Sequence, residues 1–440
     1  MSDFMSNFLS DPVMRSFFNI VGPFWNMTWP FWLSLVLLPI LNSAIVAWRQ
    51  ELFRRSIKWS LLEIMVPREV RKSPKAMEQV LQSISGLRNS ANDFMEYYVE
   101  GEYPLNFSLE MTSFGGEIHL YIRTPTKLKA IVEAAFLSYY PDVEMVEVED
   151  YALTKLPGNI DELQATNYDL WGTDLILDRE DAYPIKTYKD FEAPDEEKTF
   201  DPIAALLEVL SAIDRRQMVV MQILIVPAGP KWKDRWSGLV NKLYKSEHSG
   251  TIDDDDENRP VRMTSRSPGE TDILEAVENN LSKQAFETVI RFLYITPKEL
   301  FNIKYPLRGV LGVFNQYSAL NLNSFRRNYH TSTLASILSK PYVFPDKRLK
   351  YRKERILYNY RERKMPESTF MGKLMFSYLL NWNFGTKTFS INTECLATIF
   401  HPPIFLVLTA PHLHRVESRK SGPPSGLAIF GEESEIEKFQ

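Results

Sequence analysis

The sequence predicts an α+β fold: an N-terminal transmembrane helix, two ferredoxin-like α+β modules, and a basic helical/β tail segment. Three observations carry that reading. Residues 16–48 hold no charged side chain. Residues 105–123 alternate apolar and polar on either side of Gly115-Gly116 and lead into a helical apolar stripe. Strand-like and helix-like runs then recur beyond residue 201, where a second module of the same kind is expected.

About twenty apolar residues cover the ~30 Å hydrocarbon core at 1.5 Å per residue, and the uncharged run meets that length. Trp25, Trp29 and Trp32 stand at one end and Trp48 at the other, as interfacial anchors do. Arg15 alone precedes the run, whereas Arg49, Arg54, Arg55 and Lys58 follow it at once. That order is the reverse of a cleaved signal peptide. By the positive-inside rule it puts the N-terminus outside and the bulk of the chain in the cytoplasm, behind a single-pass anchor in the plasma (inner) membrane. A buried core helix is the alternative reading of the same run.

Residues 49–75 hold eight Lys or Arg against three acids, so this stretch is expected on lipid headgroups, with 51–64 as an amphipathic helix carrying Trp59 and Leu62. Ser73-Pro74 opens the next helix, in which Met77, Val80, Leu81, Ile84 and Leu87 recur at helical spacing. The alternating runs 105–111 and 118–123 read as a hairpin with one buried face. A helix through Leu128, Ile131, Val132, Ala135, Phe136 and Tyr139 and a strand at 143–148 complete β-β-α-β.

Residues 142–201 hold eighteen acids against five bases, and 156–200 reads as an acidic connector. Asp201-Pro202 starts a helix through Ile203, Leu206, Leu207, Leu210 and Ile213, and 218–226 reads as a strand buried on both faces. Trp232, Trp236, Leu239, Val240 and Leu243 mark a further helix. Residues 246–271, with the acidic run 253–257, read as a disordered insertion. A helix through Ile273, Val277 and Leu281, a strand at 286–295 and a helix through Leu307, Val310, Leu311 and Phe314 follow. The expected divisions are 1–48 (anchor), 49–100 (juxtamembrane basic helices), 101–155 (first module), 156–200 (connector), 201–330 (second module) and 331–440 (basic segment and tail).

Residues 340–364 hold ten bases against three acids, interleaved with Tyr342, Tyr351, Tyr358 and Tyr360. Arg and Lys beside Tyr can pair phosphates and stack bases. Lys347, Arg348, Lys350, Arg352, Lys353, Arg355, Arg361, Arg363 and Lys364 are therefore the candidate nucleic-acid or partner contact. The same side chains suit a solvated helix face, the acidic connector or lipid heads equally well.

Chemistry is sparse. Gly385-Thr386-Lys387-Thr388 departs from a phosphate-binding loop and reads as a turn. His401, His412 and His414, even with Cys395, show no metal-ligand spacing. The acidic run 253–257 lacks the glycine and closing glutamate of a calcium loop. With one cysteine there is no intrachain disulfide, and the net charge of −5 predicts no general affinity for nucleic acid. No catalytic residue, metal or cofactor is expected, and the chain reads as a non-enzyme.

Phe389-Ser390-Ile391-Asn392-Thr393-Glu394-Cys395-Leu396-Ala397-Thr398-Ile399-Phe400-His401-Pro402-Pro403, followed by Arg415-Val416-Glu417-Ser418-Arg419-Lys420-Ser421-Gly422-Pro423-Pro424-Ser425, resembles the segment just upstream of the motor in bacterial type IV secretion and conjugation ATPases of the coupling-protein kind. Residues 62–69, 73–78, 107–140 and 320–325 look like the membrane-proximal part of such proteins. The motor itself has no counterpart in residues 1–440, so the family's nucleotide-binding residues have no positions to land on. The resemblance implies a docking module that couples a P-loop ATPase to the inner membrane, and a homo-oligomer. The alternative is a membrane protein guiding transferred DNA through 340–364.

Overall fold

α1 (Pro12–Ser56) is 45 residues long, about 68 Å at 1.5 Å per residue. The computed structural model describes residues 12–67, 72–91, 93–192, 200–229, 231–245, 268–339, 342–366 and 382–404. Along α1, Phe31, Leu33, Leu35, Val36, Leu38 and Leu41 are exposed, and only 11% of the most apolar window is buried. The helix thus turns its apolar side chains away from the protein body.

Only Ile57 and Lys58 separate α1 from β1 (Trp59–Met65). This corrects the expected amphipathic helix over 51–64: Leu61, Leu62 and Ile64 are buried in a sheet. The β-branched and apolar side chains here outnumber the basic ones, which all lie before residue 59 or after 67. α2 (Lys75–Ser85) buries Met77, Val80, Leu81 and Ile84 as its spacing predicts. β2 (Phe107–Phe114) and β3 (Glu117–Pro125) form the hairpin. Gly115 and Gly116 take φ of 62° and 95°, the left-handed values that a two-residue turn between twisted strands requires. α3 (Lys129–Tyr139) and β4 (Glu144–Val148) follow.

The strands of this half stand in the order β4-β1-β3-β2, all antiparallel. The second half repeats the arrangement. β5 (Tyr168–Leu177), α6 (Ala204–Ser211), β6 (Met218–Pro227), β7 (Ala285–Pro297), the helical turns Tyr305–Val310 and α9 (Leu311–Val313), and β8 (Phe325–Arg327) give the order β8-β5-β7-β6. In each half the order is fourth, first, third, second. The halves join through their second strands, β2 against β6, into one sheet. Where the first half turns in two glycines, the second inserts α7 (Ser237–Lys245) and α8 (Pro268–Leu281).

Two expectations are corrected here. The connector 156–200 contains β5, whose last eight residues are all buried, so the second module starts well before residue 201. Residues 268–271, assigned to a disordered insertion, open α8; residues 246–267 lie outside the described residues.

One sheet face packs on α2, α3, α6 and α11 (Thr393–Ile399), the last preceded by β9 (Phe389–Asn392), which pairs with β7. The other face is covered by α4 (Tyr151–Thr154), α5 (Ile160–Ala165) and α10 (Pro345–Arg361). Both faces of the hairpin are consequently buried, not one: β2 is buried over seven consecutive residues. Its alternate residues Ser108, Glu110 and Thr112 lie beneath the second helical layer.

Candidate functional site

The polar residues on that second face stand abreast. Glu63 on β1 pairs in register with Tyr121 on β3, Tyr121 with Glu110 on β2, Glu110 with Gln222 on β6, Gln222 with Arg291 on β7, and Arg291 with Asp174 on β5. Because side chains alternate with period two, this register brings all six onto one face, in a row that crosses the seam. Gln222 donates to Glu110 at 3.1 Å, and Arg291 donates to Gln222 at 3.3 Å and to Asp174 at 3.1 Å. Arg291 also donates to the carbonyls of Asn359 (2.8 Å) and Lys364 (3.2 Å), at the end of α10.

Arg363 closes the row from above. Its Nε and Nη2 donate to Glu110 at 2.7 and 3.1 Å, while Nη1 and Nη2 donate to Asp150 at 2.7 and 2.9 Å, so one guanidinium holds two carboxylates bidentately. Tyr151 donates to Glu110 at 2.6 Å and shares a 2.7 Å contact with the Tyr360 hydroxyl. Burial alone would raise the Glu110 carboxyl, but the charge of Arg363 and hydrogen bonds from Arg363, Ser108 and Tyr151 hold it down at about 2. Burial acts against the Arg363 cation, yet Glu110 and Asp150 keep it charged well above the usual range. Burial, with Glu110 alongside, pushes the Tyr151 hydroxyl up.

The backbone shows how firmly this residue is placed. Lys364 N–H bonds to Asn359 O at 2.9 Å and Arg363 N–H to Tyr360 O at 3.1 Å, the paired bonds of a Schellman helix end. Its left-handed position is normally glycine. Arg363 occupies it at φ 49°, a conformation costing about 1–2 kcal/mol for a residue with a Cβ. Nothing in the local sequence marks the position; its cause is Glu110, 253 residues away.

The basic segment therefore does not form the free cationic face considered for nucleic acid. Arg348, Arg352, Lys353 and Arg363 are buried. Arg348 donates to the carbonyls of Ser336, Ser339 and Val343, and Arg352 to those of Ser332 and Leu334. Lys350 pairs with Asp161, Lys353 with Asp169, and Arg361 donates to Ala152 O. Of the alternatives, contact with the acidic segment is the one found. Lys347 lies over the Phe344 ring, and Arg355 and Lys364 over Tyr358.

A second set of ties spans the opposite face. β9 belongs to the sheet of the second half, while α11 packs on α2 of the first. Asn392 caps α11 by accepting from Cys395 N at 2.7 Å, and Thr398 accepts from Tyr188 N at 2.9 Å. Lys283 bridges Glu394 and Glu78, and Lys189 also reaches Glu394. His401 contacts Asp201 at 2.9 Å, whose other oxygen accepts from Ile404 N. Every polar residue named here in the first resembling motif ties the chain to its own body. His412, His414 and residues 415–425 lie outside the described residues.

At the helix end, Trp29, Trp32 and Trp48 are exposed, whereas the Trp25 side chain lies outside what is described. Arg54 and Arg55 both pair with Glu51, Arg49 donates to Val99 O, and Lys58 accompanies the turn into β1. Among the described residues no three or more His, Cys, Asp or Glu group to hold a metal, and a small cavity lined by Asp181, Asn280 and Cys395 has room for about one water.

Fold and site together define a class: an α+β protein with one large antiparallel sheet, an apolar helix at its N-terminus and charged ties on both sheet faces. Residues 45–334 match a family described as a domain of unknown function, DUF8128, and the chain belongs to that family. The match runs from the end of α1 through all of β1–β8. No curated protein matches the chain.

Proposed function

We propose that this chain is a membrane-anchored, non-catalytic docking component that couples a P-loop ATPase of a type IV secretion-like machinery to the inner membrane. Each half is read as a ferredoxin-like module, and the pair as a rigid platform. The observation that carries the anchoring part is the passage from α1 to β1 in two residues. A linker so short keeps the sheet next to the end of the helix, as suits a tether. The ATPase enters from the resemblance around residues 392–401 and 415–425, which also supplies the homo-oligomer. The single-pass orientation with the body in the cytoplasm rests on Arg49, Arg54, Arg55 and Lys58.

The test is a pull-down of detergent-extracted protein from its own cells at two salt concentrations. Because β9 and α11 belong to the core, the informative truncation removes 405–440 and spares 389–404. Recovery of a P-loop ATPase that is lost on this truncation supports docking through the tail. Salt-sensitive recovery of nucleic acid without an ATPase overturns docking in favour of DNA guidance.

A further inference from the structure

Beside α1 lies a segment that the body does not cover. The π-helical turn Glu96–Glu100 and the residues before it run along the last third of the helix. Phe94 is 74% exposed and Met95 61%, and Tyr97 and Val99 are exposed as well. Four large apolar or aromatic side chains in six residues are an unusual load for a surface loop facing water.

The segment is held against the helix at two heights. Arg49 donates to Val99 O, and Asn42 Nδ2 donates to the Tyr98 hydroxyl at 3.3 Å. Seven residues of helix separate Asn42 from Arg49, about 10 Å along the axis. Gly101 fixes the contact: at φ 74°, a Cβ there would lie 2.5 Å from the Arg49 carbonyl carbon and oxygen. The rings pack on one another, Phe94 on Tyr98 at 4.5 Å and Tyr97 on Tyr98 at 4.9 Å, and Phe53 of α1 meets Tyr103 at 6.0 Å.

We infer that Phe94, Met95, Tyr97 and Val99 form a second membrane contact, an aromatic wedge in the headgroup–acyl boundary of the bilayer beside α1. The inference rests on the reading of α1 as a membrane span. If Trp48 and Arg49 mark the interface, Tyr98 reaches about 10 Å past it, the depth to which interfacial amphipathic elements bury their apolar faces. Tyr hydroxyls suit that layer, being apolar in body and polar at the tip. The occupant is the bilayer's apolar boundary and not an anionic headgroup, since Glu96 stands half-buried within the wedge and the exposed Asp93 and Glu100 flank it. Two contacts, a span and a wedge, fix rotation about the helix axis, which a single span leaves free.

The experiment uses the full chain in zwitterionic phosphatidylcholine vesicles, with an NBD fluorophore on Phe94→Cys, Val36→Cys or Leu320→Cys. Cys395 is buried and stays unlabelled. The expected result is that position 94 is quenched by lipid spin-labelled near the headgroup and not by aqueous iodide. Position 36 is then quenched by lipid labelled near the chain end, and position 320 by iodide alone. Iodide quenching at 94, with lipid quenching retained at 36, overturns the wedge while leaving the span intact. Loss of lipid quenching at 36 as well overturns the span, and the wedge with it.

Discussion

Replacing Arg363 by methionine leaves the Glu110 carboxylate buried beneath α10 with its bidentate cation gone. Removing one partner of a buried ion pair typically destabilises by about 3–5 kcal/mol. The difference between the ordinary 4.5 and about 2 for the Glu110 carboxyl independently corresponds to about 3 kcal/mol. A folded domain is stable by about 5–15 kcal/mol, so the loss is a large fraction of the total. The pH dependence separates this cause from simple loss of packing. In the native protein the Glu110 carboxyl is held below its ordinary value, so its contribution is fully present above pH 4.5 and is lost as pH falls from 4.5 to about 2. In Arg363→Met only the hydrogen bonds from Ser108, Tyr151 and Gln222 still oppose burial, so the carboxyl rises from its native value and lowering the pH protonates it in the folded state more readily than in the native protein. The deficit of the variant is therefore large at pH 7 and shrinks in acid. Urea unfolding in detergent, followed by tryptophan fluorescence at several pH values, measures it. Arg363→Gly, which relieves the left-handed backbone, should lose about 1 kcal/mol less. A loss below about 1 kcal/mol for Arg363→Met, with the native pH profile unchanged, refutes an ionised, desolvated pair at this seam.

Two further outcomes follow from the opposite face. Asn392→Ala removes the α11 cap and should cost about 1 kcal/mol, read as a lowered urea midpoint at unchanged slope. The Cys395 thiol, buried and pushed up to about 12 by that burial, should react with a thiol reagent only as fast as the protein unfolds; rapid labelling under native conditions would show that α11 opens on its own.

Much of the sheet is legible from local pattern, and the exceptions share one cause. The β2–β3 hairpin announces itself through period-two alternation and two glycines, and β6 and β7 through largely apolar runs broken by Gln222 in the first and by Glu287, Thr288 and Arg291 in the second. β5 escapes because Asp169 and Asp174 break its apolar pattern. Asp174 is nonetheless fully buried, neutralised by Arg291, 117 residues away. β1 hides inside a basic stretch for a similar reason, its flanks carrying the basic charge while its own residues are apolar but for Ser60 and Glu63. α10 and the turn after it are the sharpest case: as a local string they read as a solvated cationic helix, yet backbone carbonyls between Ser332 and Val343 hold Arg348 and Arg352, Asp169 holds Lys353, and Glu110 and Asp150 hold Arg363. Charge predicts exposure until a partner distant in sequence removes the reason for it.

The position of these buried charges suggests what they specify. A single antiparallel strand pair, β2 against β6, joins the two halves, and the apolar face of that pair is chemically uniform: Leu109, Met111, Ile223 and Met221 tolerate one another in many registers. The polar face does not. A one-residue slip of β2 would turn Glu110 into the apolar layer as an unpaired charge and take from Gln222 and Arg363 their bonds to it. Apolar replacements of similar volume can match a buried ion pair in stability, so net stability is a weak reason for this arrangement. Register is a strong one, because every slipped alignment leaves a desolvated charge unpaired. The row thus locks the halves into one alignment.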